Sequence, residues 1–327
     1  MSISTLRWAC GSALAFIISL AACSGQQPGS SGLVPAGASA QAARSAAGRS
    51  WMAPDAKSKN LLYVTDQNAN DVYVFSYPQL KREGTLTGFD SPESECVDSH
   101  GDVFIANDEA TDIVEYAHGG TSPIATLQDP GFYPSDCSID PTTGNLAVAN
   151  IINTSFGQGN IAIYKDAKGS PSAYYRGANV YSVYSCGYDN KGNLYIDGEN
   201  NGSSSFEFAE LSSGAKKFTD VTLNQAIGVA GGVQWDGKYV AVGDQYADIY
   251  QFSIQGTEGT KVGTTPLTGV GRDLEFWIQG PKVVVPYYDE SSSAGGVGIW
   301  HYPAGGSPTR RAKGFEWPVG AAVSLAK

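Results

Sequence analysis

No hydrophobic run in this 327-residue chain is long enough to cross a bilayer as a helix, which needs about 20 consecutive apolar residues. Histidine is scarce: His100, His118 and His301 are the three, placed by the strand pattern at a hairpin tip and at outer strand ends, as solvated surface residues. The sequence has no phosphate loop, no His-rich metal motif, no cofactor fingerprint and no Gly-x-Ser-x-Gly elbow, so nothing in it supports nucleophilic catalysis. Amphipathic helical periodicity is missing as well, which excludes helical solenoids. Basic residues are few where they would matter. From residue 60 onward there are 16 Lys and Arg against 31 Asp and Glu, a net charge of −15. Such a surface repels phosphate backbones and anionic lipid, so nucleic acid is excluded as a partner and membrane contact is left to an anchor.

That anchor is legible at the start of the chain. After Arg7, the apolar stretch Ala13 to Ala22 is too short to span and suits the core of a signal peptide, residues 1–22. It ends in Leu20-Ala21-Ala22-Cys23, which resembles the bacterial lipobox; the resemblance implies lipidation of Cys23. Ser24 follows, which is not an inner-membrane retention signal, so the expected address is the cell envelope at the outer membrane. Residues 23–58 are mostly Gly, Ser, Ala, Pro and Gln and bury too little to order themselves. They read as a disordered tether with a reach on the order of 30 Å.

From residue 59 to 327 a phrase repeats: an apolar run, an Asp, a glycine hairpin, another apolar run. It occurs at Cys96 to Ile105, Ile139 to Leu146, Tyr188 to Tyr195 and Trp235 to Val240. The hairpin glycines Gly101, Gly144, Gly192, Gly237 and Gly280 are 43, 48, 45 and 43 residues apart, the period of four-stranded propeller blades. The expectation is an all-β, six-bladed β-propeller of antiparallel blades. Five inner strands precede hairpin glycines, but the strand Leu61 to Asp66 has only the tether before it. The C-terminal segment Gly320 to Leu325 has the inner-strand pattern with no successor, so it should close the ring beside Leu61 to Asp66 and remove the open edges.

The phrases Asp98 to Asp108 and Asp140 to Asn150 resemble the NHL-repeat and SMP-30-like six-bladed propellers, although the Asn-His-Leu signature is replaced by Glu109-Ala110-Thr111. The resemblance implies an architecture shared by enzymes, sensors and scaffolds. It also implies, for SMP-30-like lactonases, a divalent ion held by Glu, Asn, Asn and Asp. By position Asn107, Asn150 and Asp197 or Asp244 resemble part of that set, with Glu95 as the glutamate. Asp66, at the same strand position as Asn107 and Asn150, joins the candidate metal ligands, and hard oxygen donors suit Ca²⁺ or another divalent cation. The bland alternative is that Asp and Asn at strand ends form turns.

Three cysteines fall in successive inner strands. Counted back from Asp98, Asp140 and Asp189, Cys96 lies on the opposite sheet face from Cys137 and Cys186. Cys96 and Cys137 are therefore candidates for a disulfide across one blade interface, the alternative being three buried thiols. Aromatic residues from loops leading into the inner strands, Phe132, Tyr133, Tyr181, Tyr184, Phe315 and Trp317, are candidates for a ligand site on the loop-rich channel face. The leading expectation is an envelope module, without chemistry, that binds a small ligand or an envelope protein there. A metal-dependent lactonase-type hydrolase and a structural surface protein are the alternatives.

Overall fold

The computed structural model describes residues 48–246, 248–273, 275–289 and 293–327. Six antiparallel sheets are arranged in ring order, each led from the centre outward by an inner strand. Blade one joins the C-terminal strand Pro318–Ser324 to Leu61–Asp66, Asp71–Ser76 and Arg82–Thr87. Blade two runs Pro92–Val97, Val103–Asn107, Asp112–Tyr116 and Pro123–Gln128, and blade three Phe132–Ile139, Leu146–Asn153, Gln158–Tyr164 and Ala173–Tyr175. Blade four runs from Ser182–Tyr188 through Leu194–Glu199 and Phe206–Leu211 to Thr219–Asp220. Blade five has Ala230–Trp235, Val240–Asp244, Asp248–Gln255 and Glu258–Pro266, with Thr222–Leu223 added parallel at its rim. Blade six has a broken inner strand. Arg272–Asp273 and Trp277–Gln279 both pair with Lys282–Asp289, and Ala294–His301 and Gly305–Phe315 complete the sheet.

The repeated phrase has a physical reading at each hairpin. The five hairpin glycines all have positive φ, between +57° and +98°, which a residue with a Cβ adopts only under strain. The aspartate before them closes the turn through its side chain. Asp98 accepts the N–H groups of His100 and Asp102, Asp189 those of Lys191 and Asn193, and Asp236 those of Lys238 and Tyr239. These bonds satisfy backbone donors that the two-strand ladder cannot reach, so the phrase encodes a turn and not a ligand site.

The apolar core is divided into six clusters, one at each blade interface. Leu62, Val64 and Val323 of blade one pack on Val284, Val297 and Ile299 of blade six, which closes the circle. Cys96 and Cys137 are joined in a disulfide between blades two and three, with a Cα–Cα distance of 5.6 Å, and Cys186 is a buried free thiol. The bond spans 41 residues, and a loop of that length constrains the unfolded chain by up to about 4 kcal/mol. Replacing both Cys96 and Cys137 by Ala should lower unfolding stability in urea by about 2–4 kcal/mol, against less than half of that for Cys186→Ala. Equal losses in the two variants would show that the bond itself contributes nothing.

Two placements differ from the sequence expectation. Ordered structure begins ahead of residue 59: Trp51–Met52 pairs with Arg82–Thr87 at the rim of blade one, and Ala56 is fully buried beneath it. The part of the tether next to the domain thus has apolar residues enough to dock, while the lipobox and Cys23 lie outside the described residues. His118 is also more than a solvated residue. Its Nδ1 is 2.6 Å from Ser324 Oγ and its Nε2 3.0 Å from the Lys59 carbonyl, so it fastens both ends of the domain, and burial lowers its pKa.

Candidate functional site

Inner strands with small residues leave a channel along the ring axis, and two cavities occupy it. The larger, about 310 Å³, takes wall residues from every blade and lies toward the hairpin face, where Pro141, Asn190 and Trp235 stand. The smaller, about 60 Å³, lies toward the opposite face, among Asp108, Ile151, Tyr184 and Trp317. Glu275, projecting from the break in the blade-six inner strand, borders both. It lies so close to Gly232 that a Cβ there would come within 2.8 Å of its carboxylate.

The channel is acidic from end to end. Glu95, Asp136, Asp189 and Glu275 border the larger cavity and Glu93, Asp108 and Glu275 the smaller, and among the described residues no Lys, Arg or His borders either. Among the described residues no ion pair reaches Glu93, Glu95, Asp136, Asp197 or Glu275. Glu95 is 2% exposed, lies against Gly320, and has no hydrogen bond of good geometry at either carboxylate oxygen, Thr65 and the Ala322 amide being its nearby donors. Burial pushes its pKa well above the usual range against modest help from Thr65 and the Ala322 amide. Asp197 is fully buried with neither oxygen in a hydrogen bond of good geometry; burial and the nearby Asp136 charge raise its pKa, against the Ser185 and Gly231 amides. Asp136 is better served. Its Oδ2 accepts the Ser185 hydroxyl at 3.0 Å and the Cys186 N–H at 2.9 Å, yet burial still lifts it to about 6. Glu93, enclosed by protein but open to the small cavity, rises to about 8 through burial and the charge of Glu109. For Glu275, burial and the charges of Asp136, Asp197, Glu93 and Glu95 all push upward.

The candidate metal ligands are not gathered into one site. Asp66 accepts the N–H groups of Glu316 and Trp317, both at 2.8 Å, and Asp244 accepts that of Gly228 at 2.7 Å. Asn107 accepts the Asp90 N–H and donates to Asp112, while Asn150 donates to Asp129 and Asn160. In blades one, two and five this residue clips the loop that enters the inner strand of its own blade. In blade three Asn150 does the same by donating to Asp129, which lies in the loop entering Phe132–Ile139. Asp197 is sealed between blades four and five, and of the lactonase-type set only Glu95 faces the larger cavity. Among the described residues no three His, Cys, Asp or Glu side chains are placed to share a metal ion. The donor set implied by the lactonase resemblance therefore does not fit a divalent ion here.

The candidate aromatics are likewise divided. Tyr184 and Trp317 border the smaller cavity, and Trp317 packs on Tyr288 with ring centroids 4.4 Å apart. Phe315 is buried in the interface between blades six and one, and Phe132 packs on Tyr174 at 5.6 Å. Tyr133 and Tyr181 border neither cavity. The aromatics of the larger cavity are Tyr188, Trp235, Phe276 and Trp277, none of them foreseen. A signal for them exists in the sequence: Tyr188 and Trp235 directly precede the hairpin aspartates, where a last inner-strand side chain meets the channel mouth. Glu95 and Asp136 carried a signal too, as carboxylates inside strands otherwise reading as buried.

No protein-family model matches the sequence, and no curated protein matches it. Solved structures do. A chain of the nidogen/laminin complex superposes with a TM-score of 0.62 at 10% identity, covering 82% of this chain and 99% of its own. A protein of unknown function from Bacteroides caccae gives 0.61 at 12%, covering 83% and 100%. A functionally unknown protein from Desulfotomaculum acetoxidans gives 0.56 at 12%, again covering 83% and 100%. At such identities the likeness carries the fold, a six-bladed propeller, and leaves the site to be argued from its own residues.

Proposed function

We propose that this chain is a binding module of the bacterial cell envelope, lipid-anchored at the outer membrane through Cys23, whose channel takes up a small ligand. The observation that carries the reading is the cavity on the ring axis, walled by all six blades and by carboxylates that no cation among the described residues pairs with. Buried carboxylates are costly to ionise without a partner, so a wall of them favours a ligand that compensates their charge. The Leu20-Ala21-Ala22-Cys23 sequence supports the anchor, and the hairpin phrases favour the NHL-repeat and SMP-30-like superfamily over other propellers. One structural neighbour comes from a complex of two proteins, nidogen and laminin, but a cavity recessed into the ring axis favours a small ligand over a flat protein partner. Binding is preferred to hydrolysis because the oxygen donors that the lactonase resemblance requires are engaged in loop and blade contacts.

The test uses the full chain purified in detergent from cell envelopes. Low-molecular-mass fractions of envelope extract should include one that raises the melting temperature by roughly 5 °C, as saturation at about a hundred times Kd would. Glu275→Gln should blunt the shift. No shift with any fraction would sink the small-ligand reading. Mass spectrometry of the N-terminal peptide should find acylated Cys23, and Cys23→Ala should release the protein from the membrane.

A further inference from the structure

The larger cavity has a composition that narrows the ligand, given the binding-module reading on which this step rests. Its floor holds Glu95, Asp136 and Glu275, and its walls hold Tyr188, Trp235 and Trp277. Glu95 stands out, since it lines the cavity, is nearly fully buried, and has no hydrogen bond of good geometry at either carboxylate oxygen. Trp235 adds a second unfilled group, because its buried Nε1–H has no acceptor. Carboxylates without cations and rings without a covering side chain leave the same space wanting the same thing: a positive charge carried on apolar atoms.

We propose that this cavity recognises an alkylammonium group, its positive charge facing the acidic side of the cavity made by Glu95, Asp136 and Glu275 and its carbon stem held among Tyr188, Trp235 and Trp277. A primary ammonium has donors and no acceptor, matching a wall whose carboxylates are acceptors only when ionised. Cation–π attraction is strongest with Trp, and two Trp rings line this cavity. A bare divalent ion suits the site less well, because no three carboxylates are placed to share one ion and the cavity holds several atoms' volume. A neutral sugar would use Ser138, Asn190 and Gln234 but would leave the Glu95 carboxylate uncompensated. The site opens on the hairpin face, away from the longer loops, so the ligand enters from the side opposite to Trp317 and Tyr184.

Binding is measured on the full chain in detergent by calorimetry and by tryptophan fluorescence, with n-butylammonium and 1,5-diaminopentane as probes and 1-butanol and glucose as neutral counterparts. The ammonium probes should bind saturably and change the fluorescence, and 1-butanol should not. Glu275→Gln and Glu95→Gln should each weaken ammonium binding about tenfold or more, as loss of a charge-assisted hydrogen bond does. Trp277→Phe, which keeps a ring at the wall, should weaken it less than either. Saturable binding of glucose without ammonium binding would overturn this assignment while leaving the binding module standing. Ammonium binding untouched by both glutamine variants would overturn it as well, by placing the cation elsewhere.

Discussion

Removing residues 318–327 should abolish soluble folding, a loss larger than any single substitution in this chain can produce. Every residue of Pro318–Ser324 is buried, and the strand is the inner member of blade one, paired with Leu61–Asp66 from Leu61↔Ser324 to Asp66↔Pro318. Without it, Leu61–Asp66 faces the channel as an open edge and the apolar cluster between blades six and one loses Ala321 and Val323. Polar fastenings go too. Ser324 donates to the Gly101 carbonyl at 2.7 Å and bonds His118, and the Ala326 N–H reaches Asn60 at 3.0 Å. Burial of Val319 and Val323 alone contributes roughly 3–6 kcal/mol, and the lost ladder and ring closure come in addition, against a total stability of about 5–15 kcal/mol. The truncated chain should be recovered in the insoluble fraction and show no cooperative melt. A truncated protein that stayed soluble and melted cooperatively would refute closure by this strand.

That closure was legible from the sequence because it needs only counting: five inner strands before hairpin glycines, and one unpaired pattern at the end. The hairpins were legible for a related reason, since Asp98, Asp189 and Asp236 act within five residues of themselves and local bonds leave local signatures. The site was not. Glu95, Asp136 and Glu275 come from blades two, three and six, and their nearness depends on how the ring closes across more than 100 residues. Period-2 alternation assigns a residue to a sheet face. In a twisted inner strand that face turns from the blade interface toward the channel, which no pattern in one strand reports. Asp66, Asn107, Asn150 and Asp244 show the converse. They recur at one strand position because each fastens a connection of its own blade, so recurrence marked a structural device and was open to a ligand reading only while the partners were unknown.

Above pH 4 this protein should lose stability as pH rises, the reverse of ordinary acid denaturation. The groups involved are Glu93, Glu95, Asp129, Asp136, Asp197 and Glu275, all with pKa values raised in the fold, chiefly by burial. A carboxyl with a raised pKa keeps its proton in the folded chain at a pH where the unfolded chain has lost it. The unfolded state then binds fewer protons, and stability falls with pH between the unfolded and the folded value. For Asp136 that window ends at about 6 and for Glu93 at about 8; a shift of the size of Asp136's corresponds to on the order of 3 kcal/mol. His118, whose pKa is lowered, acts in the opposite sense as pH rises through its window, but it is outnumbered by these carboxyls and by Asp71, Glu115 and Glu199, which are raised as well. The melting temperature at pH 5 should therefore exceed that at pH 8 by at least about 5 °C. Glu95→Gln, neutral at every pH and nearly the same shape, should raise the melting temperature at pH 8 and make the slope shallower. Destabilisation by Glu95→Gln at pH 8, or an unchanged slope, would show that Glu95 is compensated in the folded protein. An alkylammonium ion bound in the channel should act on the same slope from the other side: it favours the ionised carboxylates, so its stabilising effect should grow from pH 5 to pH 8 and release protons as it binds.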